Sequence, residues 1–324
     1  MRFRGCFGLL FLAALPVRAA ESLLFLETQM VGGYSFGRHR AIYYSQSQDE
    51  AMQKPSVGFD WLQRLSTPVG DWGRVAVQGR LAWNKEGGNH FEGQLYNAYA
   101  ARKIQETEIW AGHNRPAMGL ASAWDTHGTM LQPLTMYGFG FDRDWGVGAG
   151  RLFPWGDVRA SLTTGSGMPL YFKGNWLASA RASAGALERD NYSAGLSVAR
   201  GRTLDTMGLH LMESTPETYG TVGADGTVLW DRFTQRLEAI TGRRQGQNVQ
   251  VLFSRTGVGF LEESRLTVEA QPVAVWTGGR ETLQWGAGAS YVLNQNWTAR
   301  VMSLWDRRPY NAQVVAQLYG YFKI

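Results

Sequence analysis

The side chains best able to do chemistry in this sequence are arginines and acids set at even intervals. Arg74, Arg80, Arg159, Arg232, Arg236 and Arg300 fall on the polar phase of segments that alternate residue by residue, together with Asp60, Asp157, Glu238 and Glu269. In extended chain, residues an even number apart project to one face. A face of fixed guanidinium and carboxylate groups performs no reaction. Lining a water-filled passage, it sets a field that favours anions or small zwitterions. The same groups could instead pair across strands and simply hydrate and stiffen a wall. Both readings stand at this point.

A second concentration runs from Glu108 to Met168. It includes His113, Arg115 and Pro116, then Asp125 and His127, then Phe141-Asp-Arg143-Asp144-Trp145, and closes on Gly165-Ser-Gly167. Ser122, Asp125 and His127 are the types of a nucleophile, acid and base set, but such proximity is common and the remaining histidines are scattered. No metal-ligand spacing occurs. No catalytic residue, metal site or cofactor is assigned. The link from Pro116 to Leu134 is long enough to fold inward, which makes Asp125, His127 and Gln132 candidates for a constriction loop. An ordinary external loop fits equally.

The elements that must position these residues are long strands. Arg74, Ala76, Gln78 and Arg80 oppose Val75, Val77 and Leu81. Thr282, Gln284, Gly286, Gly288 and Ser290 oppose Leu283, Trp285, Ala287, Ala289 and Tyr291. Counting such windows predicts an all-β fold, a transmembrane antiparallel β-barrel of about 16 strands, within about 14–18. Short links at Pro68–Asp71, Pro154–Asp157, Glu188–Asn191 and Asn294–Asn296 read as tight turns. Gly37–Gln53, Pro116–Leu134, Gly165–Gly174 and Thr215–Val228 read as longer loops. Thr135–Gly150 reads as one strand or two, and Thr203–Met212 as strand or loop. A soluble β-sandwich would also alternate, but with its apolar phase inward and with shorter strands.

Composition agrees. The 40 Gly, 13 Trp, 13 Tyr and 15 Phe, with a mean hydropathy of −0.26, suit a wall that is apolar on alternate residues and girdled by aromatics. Arg2 and Arg4, the apolar run Phe7–Leu15 and the small residues around Ala19 form a secretory leader. The expected leader is 1–19, with the barrel over 20–324. The run is too short to cross a bilayer as a helix. Cys6 is the single cysteine and leaves with the leader, so no disulfide is expected. Loss of Arg2, Arg4 and Arg18 reduces the net charge of +5 to nearly neutral, which gives nucleic-acid binding no support.

Two stretches carry resemblances. The terminal segment Ala312–Ile324, with Gln317, Phe322 and Ile324, resembles the β-signal read by the outer-membrane barrel-assembly machinery; Tyr319 stands where a small residue is usual. Gly112, Pro116 and Gly119, then Arg143, Gly146 and Gly148, then Gly165 and Gly167 resemble the order of parts in porins of the phosphate-selective O and P type. That family's lysine-rich cluster is absent, so phosphate specificity is not implied. What the resemblance implies is a porin in the outer membrane of a Gram-negative bacterium, passing small hydrophilic solutes, with an anion preference suggested by the arginines. Lipid and lipopolysaccharide, the assembly machinery and two further copies in a homotrimer are the expected partners. The other expectation is a barrel sheathing a partner such as a multihaem cytochrome conduit; this chain has no haem-attachment motif of its own.

Overall fold

The structure is a computed structural model describing residues 18–45, 53–68, 70–84, 90–207, 210–306 and 312–324. The expected leader lies outside these residues, except Arg18 and Ala19 at the start of the first strand. The strands in chain order are β1 (Arg18–Ser35), β2 (Arg40–Ile42), β3 (Ser56–Thr67), β4 (Gly70–Asn84), β5 (His90–Ile104), β6 (Thr107–Asn114), β7 (Asp144–Phe153), β8 (Gly156–Thr163) and β9 (Trp176–Ala184). They continue as β10 (Tyr192–Met207), β11 (His210–Trp230), β12 (Phe233–Arg244), β13 (Gln247–Phe260), β14 (Leu266–Thr277), β15 (Arg280–Val292), β16 (Trp297–Asp306) and β17 (Gln313–Lys323).

The short β2 pairs antiparallel with the end of β1, beyond the stretch that β3 covers; otherwise each strand pairs antiparallel with its sequence neighbour. β17 closes the ring on β1, from Phe25↔Lys323 to Ser35↔Gln313. The result is a closed antiparallel barrel of 16 strands, which leaves no sheet edge unpaired.

Alternation decides which side chains face out. Leu196, Val198, Val222, Leu237, Leu252 and Val301 are exposed on the outer surface, while their neighbours Ser197, Thr221, Glu238 and Phe253 are buried within the ring. Outward aromatics gather at the strand ends. Trp155, Tyr192, Trp230, Phe233 and Phe260 mark one rim, and Tyr34, Phe36, Phe91, Trp176 and Trp305 the other. This is the aromatic girdling of a transmembrane barrel.

One sequence expectation is overturned and two alternatives are decided. Thr215–Val228 is not a loop but part of β11, whose Tyr219, Thr221, Asp225 and Thr227 point inward and whose Val222 and Val228 point outward. Its glycines and polar residues give it a loop-like composition, yet Tyr192↔Val228 through Arg202↔Thr218 is unbroken pairing. Thr203–Met207 and the start of β11 continue the same hairpin past the neighbouring strand. Thr135–Gly150 contains one strand, β7, from Asp144; Leu134–Tyr137 before it is a 3-10 turn inside a long connection.

Candidate functional site

The connection 115–143 between β6 and β7 does not stay outside. It turns into the ring, because the wall there offers it an apolar bed. Leu177, Ala199, Tyr219, Ile240, Val251, Phe253 and Val273 face inward from β9 to β14 and pack against Met118, Leu120, Leu134 and Phe139, with Trp124, Tyr137 and Phe141 around them. Further along, Met130 and Leu131 join Val31, Met302, Leu304 and Val315 of the β1, β16 and β17 wall, where Ile42 and Tyr44 also pack. The segment thus spans the lumen from one wall to the other, burying apolar surface at about 25 cal/mol per Å2.

Polar contacts hold it in register. The Ala117 amide donates to Ser161 Oγ at 2.9 Å and the Leu120 amide to Glu238 Oε1 at 3.2 Å. Gly119 precedes Leu120 at φ +49°, and a Cβ on it would collide with the Glu238 carboxylate, so only glycine fits. Arg159 donates to the Ser122 carbonyl at 2.7 Å, Arg255 to the Leu131 carbonyl at 2.6 Å and Gln271 to the Gln132 carbonyl at 2.9 Å. The Trp124 ring lies under the guanidinium groups of Arg255 at 4.3 Å and Arg236 at 4.8 Å. His127 Nε2 meets Glu27 Oε2 on β1 at 2.5 Å, edge-on to Tyr96.

Both ends of the segment are tied back. Arg115 pairs with Asp125 at 2.7 Å, and Arg143 reaches Asp142 at 3.0 Å, Asp125 at 3.7 Å and Asn97 at 2.9 Å. Asp144 then opens β7 fully buried. Its carboxylate accepts the amides of Gly165 at 2.7 Å and Gly167 at 3.1 Å and the Thr164 hydroxyl at 2.8 Å. Gly165 and Gly167, at φ +69° and +70°, allow that turn. Burial raises the Asp125 carboxyl, but Arg115 and then Arg143 outweigh it and hold the group below the ordinary carboxylate range.

What remains between this segment and the β3–β8 wall is a cavity of about 690 Å3. Asp60, Arg74, Asn97, Tyr99, Lys103 and Glu108 line it from the wall, Asp157 and Arg159 from β8, and Arg115, Ser122 and Asp125 from the inward segment.

The residues singled out from sequence therefore fall into three groups. Arg74 and Arg159 face the cavity, each in ion pairs: Arg74 with Glu108 at 2.6 Å, Arg159 with Asp157 and, at 3.7 Å, with Glu188. Arg80, Arg236, Arg300, Glu238 and Glu269 also stand on the inner face but are tied to other groups. Arg80 is 5% exposed and bonds Gln94 at 2.7 Å; Arg300 bonds Gln317 at 2.7 Å beneath Tyr319; Glu269 lies 3.9 Å from Arg255. Arg232 is the exception, since it is exposed in the two-residue turn Asp231–Arg232 and not on the inner face. Trp230 and Phe233 pair and close the hairpin, which leaves Arg232 in the turn and off the wall.

Of the three loop candidates, Asp125 is exposed toward the cavity, His127 is clamped to Glu27, and Gln132 is buried against the wall. Ser122 donates to the Gly119 carbonyl, not to a histidine. No group of three potential metal ligands occurs among the described residues.

Sequence reading missed Arg181, Asp225 and Arg255. Arg181 grips Asp225 with two hydrogen bonds of 2.6 and 2.9 Å and reaches Asp157 at 3.3 Å. A signal existed for what Arg255 serves. In β13 the inward phase Val249, Val251 and Phe253 is as apolar as the outward Leu252, which implies apolar material inside the ring.

No protein-family model matches the chain, and no curated protein sequence matches it. Solved structures do. A loop-deletion form of OmpT, an outer-membrane protein of Vibrio cholerae, superposes with a TM-score of 0.63 at 9% identity, covering 94% of this chain and 100% of that one. An anion-selective porin from Comamonas acidovorans gives 0.63 at 10%, with coverage of 94% and 100%. Salmonella typhi OmpF in complex with daunomycin gives 0.63 at 9%, with coverage of 93% and 97%. At these identities the likeness is one of fold: this chain has the porin-like barrel.

Proposed function

We propose that this protein is a diffusion channel of the outer membrane, passing small hydrophilic solutes without a chemical reaction. The observation that carries the reading is segment 115–143, which leaves the rim, crosses the lumen and is pinned to both walls while a charged cavity remains open beside it. A ring of 16 strands is too wide for wall side chains alone to fill, so the inward segment sets the bore. The outward apolar face with its aromatic rims fits lipid, and β17, with Gln317 and Phe322 in it and Ile324 just after it, is the segment the assembly machinery would read. Lipopolysaccharide at the outer rim and a homotrimeric assembly belong to the same proposal.

The glycines singled out in the sequence have local structural roles. Gly119 makes room for the Glu238 pin, and Gly165 and Gly167 form the turn that Asp144 holds. A sheathed partner would need the space that residues 117–141 occupy. Arginine count no longer supports an anion preference, because Arg80, Arg181 and Arg255 are committed to buried partners.

Planar-bilayer recording tests the proposal. Refolded, heat-modifiable protein should give stepwise, ohmic conductance, and liposomes containing it should swell in small sugars. Folded protein that inserts and passes no current would overturn the reading.

A further inference from the structure

The cavity beside the inward segment has a charge arrangement that selects among solutes. Its basic lining groups are Arg74, Lys103, Arg115, Arg151 and Arg159, and its acidic ones Asp60, Glu106, Glu108, Asp125, Asp157 and Glu188. The two sets nearly cancel, and they cancel locally. Arg74–Glu108 is 2.6 Å, Arg115–Asp125 2.7 Å and Arg151–Glu106 2.8 Å; Arg159 lies between Asp157 and Glu188, and Lys103 stands opposite Glu108 in the β5–β6 register. A dissolved ion therefore meets dipoles, not a net field. Beyond a pair's own length those fields fall away, and salt screens the remainder within about 10 Å at 0.1 M.

A solute with no net charge is placed differently. Asn97 and the bracketed charges provide donors and acceptors side by side, and Tyr99, with Arg74 5.9 Å above its ring, adds an apolar face. A cavity of about 690 Å3 lies within the usual range of small-molecule sites, about 300–1,000 Å3.

We infer that the cavity is a site for net-neutral polar solutes, polyols and zwitterions of monosaccharide size, and that compensation of Arg74 by Glu108 and of Arg115 by Asp125 is what keeps ions from being preferred. The inference rests on the channel reading above.

The test is reversal potential in a potassium chloride gradient, with liposome swelling in arabinose, glycine and sodium gluconate. Wild type should reverse near zero and should pass arabinose and glycine ahead of gluconate. Glu108→Gln and Asp125→Asn each free a guanidinium and should move reversal toward chloride. Arg74→Gln uncovers Glu108 and Arg115→Gln uncovers Asp125, and each should move it toward potassium, so a pair of opposite shifts survives the loss of any one variant to misfolding. A wild type strongly selective for either ion, or variants that leave reversal unmoved, would overturn the inference while leaving a channel. No conductance from folded protein would instead remove the channel reading and this inference with it.

Discussion

Trp124 lies beneath Arg255, its ring centroid 4.3 Å from the guanidinium carbon. Arg236 sits directly opposite Arg255 in the β12–β13 register and covers the same ring at 4.8 Å. Two like charges facing each other across a strand pair are destabilising on their own. Here one aromatic face and Glu269 absorb both, so these wall arginines act as anchors for the inward segment.

Trp124→Ala should therefore loosen the segment more than it unfolds the barrel. Losing the ring contact and both cation–π contacts is worth about 2–4 kcal/mol locally. Open-channel noise and proteolysis within 117–141 should rise while heat-modifiability persists. Unchanged noise and unchanged proteolysis would mean that the apolar cluster alone holds the segment.

The wall was legible in the sequence because lipid and lumen impose a period of two. Arg74, Arg159 and Glu238 face inward as their parity requires. The interior was less legible because an inward segment obeys no period. Nothing local separates Gln132, buried against β14, from Asp125, exposed beside the cavity; which one meets water depends on Leu131 and Met130 finding apolar partners on distant strands. Arg232 shows the limit of parity at a turn, where a side chain keeps its phase and yet leaves the wall.

Parity itself can be checked in one strand pair. Leu252 is 54% exposed on the outer face, and Thr234 lies on the inner face of the neighbouring strand. Leu252→Arg should cost about 2–4 kcal/mol near the bilayer midplane, and Thr234→Arg far less. Urea unfolding in liposomes reads the difference. Equal costs would contradict the assignment of faces.

Asp144 predicts a local failure. Asp144→Ala leaves the buried amides of Gly165 and Gly167 without their acceptor, and hydrogen bonds to a charged group contribute about 1.5–3 kcal/mol each. Protease cleavage should appear within 164–175 under conditions where wild type resists. Continued resistance would show that the turn does not depend on the carboxylate.

Acid should loosen the inward segment through Asp125. Its pKa in the folded protein lies below the ordinary 3.8, so the stabilisation it lends to the inward segment is complete above that value and is lost as pH falls through the lowered one. Burial, then Arg143, lowers Arg115, but a guanidinium stays protonated throughout this range, so acid breaks the Arg115–Asp125 pair by protonating Asp125. Proteolysis within 117–141 should rise reversibly below about pH 4, and Asp125→Asn should show the raised level already at neutral pH. An Asp125→Asn variant as resistant at neutral pH as wild type would show that the pair does not hold the segment.

The central claim is that segment 115–143 lies in the path of the solutes. Ala123 is an exposed residue of that segment between Ser122, held by Arg159, and Trp124, held by Arg255. Ala123→Cys, made together with Cys6→Ser, places one thiol there without removing any of these contacts. Its channel current should fall stepwise when a bulky water-soluble thiol reagent is added. Leu196→Cys in the same background, on the lipid face, should leave current unchanged. Full labelling of Ala123→Cys with no loss of current would contradict the account.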